Sequence, residues 1–239
     1  MNGKNLTICM MPYTKFLFIL FLFIQNQFVI TAQGFINVDF KFIYHQRDLI
    51  MDSLYIRNNQ ESIQFETLKF YISNLRFNHN NGKTFIEKNS FHLIDMEDRN
   101  SLHVSVPDIS NDSIRHISFN LGIDSTTNVS GALGGDLDPT KGMYWTWQNG
   151  YINFKLEGKS TLCKTRNNEF QFHIGGYMNP FNTLQKIELL INKVGSCTIV
   201  FDLEQLMDKI DLSILNHVMS PQLDAVEISK KIATAFSIE

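Results

Sequence analysis

"FINVDFKFIY", residues 35–44, alternates apolar and polar side chains along most of its length. Ile36, Val38, Phe40 and Phe42 fall on one face, and polar residues lie between them. This period of two is the pattern of a strand with one face buried and the other in contact with solvent. The stretch therefore predicts a β-strand that lines an apolar core.

Similar runs recur along most of the chain, separated by turns rich in Asn, Asp, Gly and Ser. Further strands are predicted at residues 61–77, 90–96, 114–123, 150–158, 168–176, 184–191 and 196–203. The pair Asn81-Gly82 is typical of a tight hairpin turn. Many short strands with regular turn signals indicate an all-β fold, and we predict a β-sandwich.

The C-terminal part has a different pattern. Residues 203–219 and 222–236 carry apolar side chains at helical spacing, and Pro221 separates the two segments. The predicted architecture is therefore an all-β sandwich with a short C-terminal helical segment.

The N-terminus has the charge and hydrophobicity order of a secretory signal peptide. Lys4 and Lys15 precede nine apolar residues at 16–24, and small residues follow. The sequence predicts a signal peptide at 1–32 and one domain at 33–239, hence a periplasmic or secreted protein without stable membrane insertion after cleavage. An uncleaved N-terminal anchor is the alternative, although the apolar run is shorter than the roughly 20 residues of a membrane span.

Charge and cysteine content narrow the class of protein. The net charge of −3 becomes −5 without residues 1–32, whose charged side chains are two lysines. A nucleic-acid partner needs a basic face, so none is expected. Cys163 and Cys197 remain in the predicted domain. In an exported protein such a pair favours a disulfide, with free thiols or a thiolate metal ligand as alternatives.

Motifs of common enzymes are missing, because the sequence has no GxSxG, HExxH or P-loop lysine pattern. A hydrolase remains open but no motif supports it, and the function we expect is that of a binding protein and not an enzyme. Among seven histidines, His45, His92 and His173 stand out, since they end or lie within predicted strands and His173 precedes two glycines. Imidazole suits copper and a thioether favours Cu(I), although a single histidine is more often structural.

The stretch "GMYWTWQNG", residues 142–150, contains both tryptophans of the chain. Met143, Trp145 and Trp147 are spaced by two, so on a strand they project from one face. They either form an aromatic row that packs against the core or line a chemical site. Residues 136–142, "DLDPTKG", are predicted to form a turn before them.

Several segments together resemble the MbnP-like family of secreted copper-binding proteins, also called metallo-mystery-pair proteins. They are "FYISNLRF" (70–77), "FHLIDMED" (91–98), "LGIDS" (121–125), "SGALGGDLDPTKGMYWTWQNGYINFKLEG" (130–158) and "FHIGG" (172–176). The resemblance implies a β-rich sandwich and a partner that is a MauG-like di-haem peroxidase. It also implies that a tryptophan is oxidised to kynurenine and contributes to a copper site together with histidines.

Carried onto this sequence, the resemblance gives a set of candidate site residues. Trp145 or Trp147 is the candidate for oxidation, and the candidate copper ligands are His173, His92, His45 and Met143. The expected function is copper handling or uptake, with Cu(I) favoured. The alternative is a metal-free β-sandwich adhesion or interaction module.

Overall fold

The computed structural model describes residues 34–57, 61–107, 114–191 and 197–239, together with Gly3. Residues 34–239 form one compact unit. Apart from Gly3, the predicted signal peptide lies outside the described residues. No helix in the described part of the chain is long and apolar enough to cross a membrane.

Strands make up most of the regular structure. They are β1 (Phe35–Tyr44), β2 (Arg47–Asp48), β3 (Leu54–Ile56), β4 (Ser62–His79), β5 (Thr84–Ile86), β6 (Phe91–Asp95), β7 (His103–Pro107), β8 (Ile114–Leu121), β9 (Tyr144–Trp145), β10 (Gly150–Ser160), β11 (Glu169–Gly175), β12 (Gln185–Leu190), β13 (Cys197–Asp202), β14 (His217–Val218) and β15 (Phe236–Ile238). The α-helices are α1 (Ser125–Val129), α2 (Leu203–Met207) and α3 (Leu223–Ala233), and short 3-10 helices span Arg99–Leu102, Gly135–Leu137 and Pro139–Lys141.

Within the described residues, the strands form two sheets, which we call the small and the large sheet. The small sheet has the order β15-β13-β1-β2, and β7 also pairs with β1. The large sheet has the order β12-β8-β4-β10-β11-β14, with β3, β5 and β6 paired to β4 and β9 paired to β10. The predicted all-β sandwich is confirmed.

Phenylalanine rings fill the space between the sheets. The rings of Phe40 and Phe42 on β1 each lie 6.0 Å from the ring of Phe70 on β4, measured between centroids. Phe201 and Phe236 pack at 4.7 Å from each other and contact Phe70 as well. The alternation of residues 35–44 thus places its apolar face on the core, as predicted.

Strand β4 changes the phase of its buried residues where a bulge interrupts its pairing with β10. Glu157 pairs with Thr67 but the next residue, Gly158, pairs with Phe65, so one residue of β4 is extra. A Cβ on Gly158 would lie 2.1 Å from the carbonyl oxygen of Gln64. Glycine at this position allows the two backbones to approach closely.

The prediction of a helix over 203–219 is wrong beyond its first turn. Helix α2 begins after Asp202, whose carboxylate accepts the backbone N–H groups of Glu204 and Gln205, and it ends at Met207. Farther along, the Asp211 carboxylate accepts both the N–H and the hydroxyl of Ser213, and such local bonds compete with helix formation. The chain then forms β14, which pairs in parallel with β11.

The second C-terminal helix is confirmed as α3, Leu223–Ala233, but the strand that follows it was not predicted. Strand β15 pairs antiparallel with β13 and closes one edge of the small sheet. The C-terminal segment is therefore partly helix and partly strand, and both parts pack on the sandwich.

The predicted disulfide is also wrong, because Cys163 and Cys197 are free and buried. Cys163 lies just after β10 of the large sheet, whereas Cys197 begins β13 of the small sheet. Burial raises the pKa of the Cys163 thiol, and it raises the pKa of the Cys197 thiol to about 12. Both thiols therefore stay protonated, which disfavours the thiolate form that binds metals.

Candidate functional site

The large sheet is covered on both faces near the middle of β4. Phe70 and Ile72 face the sandwich core, whereas Tyr71 between them points to the opposite face. There it joins a second apolar cluster, which we call the outer cluster and which consists of Tyr71, Leu93, Ile123, Leu137, Met143, Trp145, Tyr151 and Ile152. The outer cluster contains the tryptophan stretch that the sequence singled out.

The predicted turn at 136–142 is built from two short 3-10 helices, Gly135–Leu137 and Pro139–Lys141. The Asp138 side chain accepts the backbone N–H of Thr140 at the start of the second one. Gly142 ends it with φ of 74°, a left-handed conformation that glycine adopts without strain. The turn carries the chain across the large sheet to Met143.

Two buried tyrosines anchor this covering segment to the sheet. The Tyr71 hydroxyl donates to the carbonyl oxygen of Asp136 at 3.0 Å, and the Tyr151 hydroxyl accepts the N–H of Leu133 at 3.0 Å. The Asp136 carboxylate accepts the N–H of Leu93 and pairs with Lys141. Burial raises the pKa of both tyrosines, so they act as neutral hydroxyls.

Within the tryptophan stretch, the structure separates residues that the spacing grouped together. Met143 and Trp145 are buried in the outer cluster, and Trp145 is 6% exposed. Trp147 is 64% exposed, because strand β9 ends at Trp145 and residues 146–149 form a turn. The prediction of one shared face therefore holds for Met143 and Trp145 and is wrong for Trp147. The two indole rings still contact each other, with centroids 5.7 Å apart.

Strands β9 and β10 pair antiparallel across the turn 146–149, and we call this unit the tryptophan hairpin. The two glycines that follow His173 and Ile174 make room for it. A Cβ on Gly175 would lie 2.7 Å from Cζ3 of Trp145 and 2.7 Å from the carbonyl oxygen of Tyr151. Gly176 has φ of 130°, and its Cβ would lie 2.2 Å from the carbonyl oxygen of Phe181. Residues 175 and 176 must therefore be glycine for the Trp145 ring and the following loop to pack as they do.

His173 lies on the same outer face of β11 as Gly175, two residues away. Its Nε2–H donates to Oε1 of Glu157 at 2.6 Å, and Lys155 lies 3.7 Å from the same carboxylate oxygen. The hydrogen bond from His173 is the main cause that lowers the pKa of Glu157 to about 2. With Nε2 directed at the Glu157 carboxylate, Nδ1 is the ring nitrogen that a neutral His173 would offer to a metal ion.

The other two candidate histidines lie elsewhere. His92 is on β6 and its Nε2 lies 2.8 Å from the Glu87 carboxylate. His45 follows β1 of the small sheet in a left-handed conformation, and its Nδ1 lies 2.8 Å from the Glu204 carboxylate. His45, His92 and His173 do not converge, and the described ranges contain no group of three or more His, Cys, Asp or Glu that could hold a metal ion.

Met178 is an exposed methionine beside Trp145 that the sequence analysis did not single out. Met143 is fully buried, whereas Met178 is mostly exposed. Met178 lines a small hollow beside the hairpin together with Trp145, Tyr177 and Phe181. Its place three residues after Gly175 is the sequence signal that could have pointed to it.

We expect the Glu157–His173 pair to stabilise the metal-free protein at neutral pH and not in acid. The pKa of Glu157 is lowered from an ordinary 4.5 to about 2, so its contribution is complete above pH 4.5 and is lost as the pH falls towards 2. Glu157→Gln should lower the free energy of unfolding by about 1.5 kcal/mol at pH 7. Urea denaturation at pH 7 and pH 3 measures this.

Glu188→Gln is the matched control, because the Glu188–Lys186 ion pair is exposed and should contribute far less to stability than the Glu157–His173 pair. Wild-type protein should lose more stability on acidification than the Glu157→Gln variant. Parallel losses in the two proteins would contradict a stabilising role for the ionised carboxylate.

Comparison with known proteins agrees with this architecture. The MbnP family model matches residues 33–220. The solved structure of MbnP from Methylosinus trichosporium superposes with a TM-score of 0.57 at 12% sequence identity, covering 79% of this chain and 82% of that chain. This likeness shows a shared fold, and no curated protein matches the sequence. The family match covers most of the chain and includes the tryptophan hairpin, so the chain belongs to the MbnP family.

Proposed function

We propose that this protein is an exported copper-binding protein, periplasmic or secreted, that acts in copper handling or uptake and favours Cu(I). In this proposal a MauG-like di-haem peroxidase oxidises a tryptophan of the hairpin to kynurenine, and the protein itself is not an enzyme. The observation that carries the proposal is the packing of Trp145 on Gly175, two residues from His173, with Trp147 exposed beside it.

In this proposal, oxidation of a tryptophan adds metal-binding atoms to those that the side chains of the described residues already provide. Within the described ranges there is no group of three or more His, Cys, Asp or Glu side chains that could hold a metal ion. His173 could supply Nδ1 from the outer face of β11, where its side chain is largely buried. Opening an indole ring adds a carbonyl oxygen and an aniline nitrogen to the hairpin, and these new donors would supplement the imidazole.

Cu(I) also takes thioether sulfur. The buried Met143 is packed in the outer cluster, whereas Met178 presents its side chain to solvent beside Trp145. Met178 is therefore the better soft donor for this proposal.

Copper titration of the protein without residues 1–32, isolated after co-production with the peroxidase, tests the ligand assignment. His173→Ala should weaken Cu(I) affinity by more than about tenfold. Tenfold is roughly the smallest loss of affinity that usually follows when a residue that hydrogen-bonds to a metal ligand is removed, and loss of a ligand itself should cost more. His92→Ala is tested in parallel, and His116→Ala serves as the control because His116 lies on β8 and outside the candidate ligand set. Unchanged stoichiometry and affinity in both His173→Ala and His92→Ala would remove these two ligands.

The exposed Trp147 and Met178 side chains also favour a second candidate, a metal-free adhesion or interaction module. Mass spectrometry distinguishes the two proposed functions when the protein is produced together with a di-haem peroxidase that is encoded by an adjacent gene. Loss of one carbon and gain of one oxygen in the peptide that contains both tryptophans indicates kynurenine. Two intact tryptophans in that material favour the interaction module.

A further inference from the structure

We propose that a second copy of this chain docks on the loops around Tyr177, so that the protein forms a dimer with two-fold symmetry. These loops are residues 125–135, 146–149 and 177–184, and we call their surface the uncharged face. The loops converge on one residue, they carry no charged side chain, and they present a projection beside two hollows. The dimer depends on neither copper nor oxidation, so it goes beyond the proposed function.

The three loops are joined through Tyr177. The Ser125 hydroxyl donates to the carbonyl oxygen of Tyr177 at 2.8 Å. A Cβ on Gly150, which follows the turn, would lie 3.2 Å from Cε1 of Tyr177 and 3.6 Å from Oδ1 of Asn128. The same Asn128 oxygen accepts the N–H of Tyr151 at 2.8 Å. Segments that are distant in sequence therefore form one continuous surface.

The sequence of this face contains no charged residue. Lys, Arg, Asp and Glu make up 19% of the chain, yet none occurs in residues 125–135, 142–154 or 174–184. The predicted domain has a net charge of −5, so two copies repel each other where their acidic surfaces approach. In a two-fold dimer a charge near the axis faces the same charge of the other copy. The uncharged face is therefore where two copies meet without opposing like charges.

Apolar side chains are exposed across this face. Val129 is 74% exposed, Trp147 64% and Met178 60%, and Leu133 is exposed as well. Aromatic residues and methionine are enriched, and charged residues depleted, at the buried centre of protein interfaces. The loops supply roughly twenty residues that are at least partly exposed, and a standard interface takes about 20–30 from each partner. The face thus has the composition and size of a dimer interface.

The face carries a projection beside two hollows, as a self-complementary contact requires. Trp147 projects from the turn 146–149. Val129 lines one hollow, of about 540 Å³, and Met178 lines the other, while Tyr177 lines both. With the two-fold axis near Tyr177, the Trp147 ring of each copy enters the larger hollow of the other, and both contacts form at once. An aromatic anchor in a pocket is the usual centre of an interface.

Sedimentation velocity of the protein without residues 1–32 tests the dimer, from about 1 μM to about 500 μM, a range that covers weak interfaces of standard size. We expect a reversible monomer–dimer equilibrium that added NaCl does not weaken, because the uncharged face offers no ion pair to screen. Val129→Glu and Met178→Glu should each raise the dissociation constant at least about tenfold, since the dimer would then bury two carboxylates.

Leu54→Glu is the matched control, because Leu54 is 66% exposed and the substitution adds the same charge far from the face. Leu54 pairs with Gln64, which pairs with Lys159 at the end of β10 that is farthest from the turn. This variant should keep the dissociation constant within about twofold of wild type. Both face positions are exposed, so one face variant decides the test if the other folds poorly.

Tryptophan fluorescence gives a second readout. Trp145 is already buried in the monomer, so a shift of the emission to shorter wavelength as the dimer forms reports burial of Trp147. A dimer with unchanged emission would place the interface elsewhere and overturn the proposal. A wild-type protein that is still monomeric at about 500 μM would overturn it too. The same holds if the face variants dimerise like wild type, or if Leu54→Glu loses the dimer as they do.

Discussion

Replacing Phe70 by alanine is expected to lower the free energy of unfolding by about 3–5 kcal/mol. The ring is fully buried between the two sheets and contacts phenylalanines from both. Its neighbours include Phe40 and Phe42 of β1, Phe154 of β10 and Phe236 of β15. Truncation would remove apolar contacts on every side and leave a cavity that several rings would have to fill together.

Urea denaturation measures this loss. Phe35→Ala is the control, because Phe35 is 63% exposed at the start of β1 and its truncation should change the free energy of unfolding by less than about 0.5 kcal/mol. A loss below about 1 kcal/mol for Phe70→Ala would mean that the phenylalanine cluster is not the centre of the core.

The strands that form this core could be predicted because their signal is local. Residues 35–44 become β1, and residues 114–123 contain β8, since each stretch alternates in register with the pleat of a strand. The phase change within 61–77 is visible in the sequence as two apolar runs, Ile63 and Phe65 followed by Leu68, Phe70 and Ile72. Its cause is a bulge against Gly158, which depends on the partner strand.

Other elements depend on contacts that are distant in sequence. Strands β14 and β15 contain two and three residues, which is too few to show a period of two. They form because β14 pairs with β11 and β15 pairs with β13. The disulfide was inferred from the number of cysteines, and that number does not give the distance or orientation that a disulfide requires. Cys163 and Cys197 instead lie buried in the core of the sandwich.

The site shows the same division between local and distant signals. The glycines after His173 indicated a close approach, and the structure has one at Gly175 with the Trp145 ring. Convergence of the histidines could not be read from the sequence, because it depends on which sheet each strand joins. His45 follows a strand of the small sheet, whereas His92 and His173 belong to the large one.

The two tryptophans should differ strongly in their contribution to stability, although they are only two residues apart. Trp145→Ala is expected to lower the free energy of unfolding by about 3–5 kcal/mol, because it empties the space between Gly175 and the outer cluster. Trp147→Ala should change it by about 0.5 kcal/mol or less, since the ring lies mostly in water. Urea denaturation followed by far-ultraviolet circular dichroism measures both without relying on tryptophan fluorescence.

Each variant serves as the control for the other, because both remove the same side chain from the same hairpin. Equal losses would contradict the assignment of Trp145 as the structural ring and Trp147 as the exposed one.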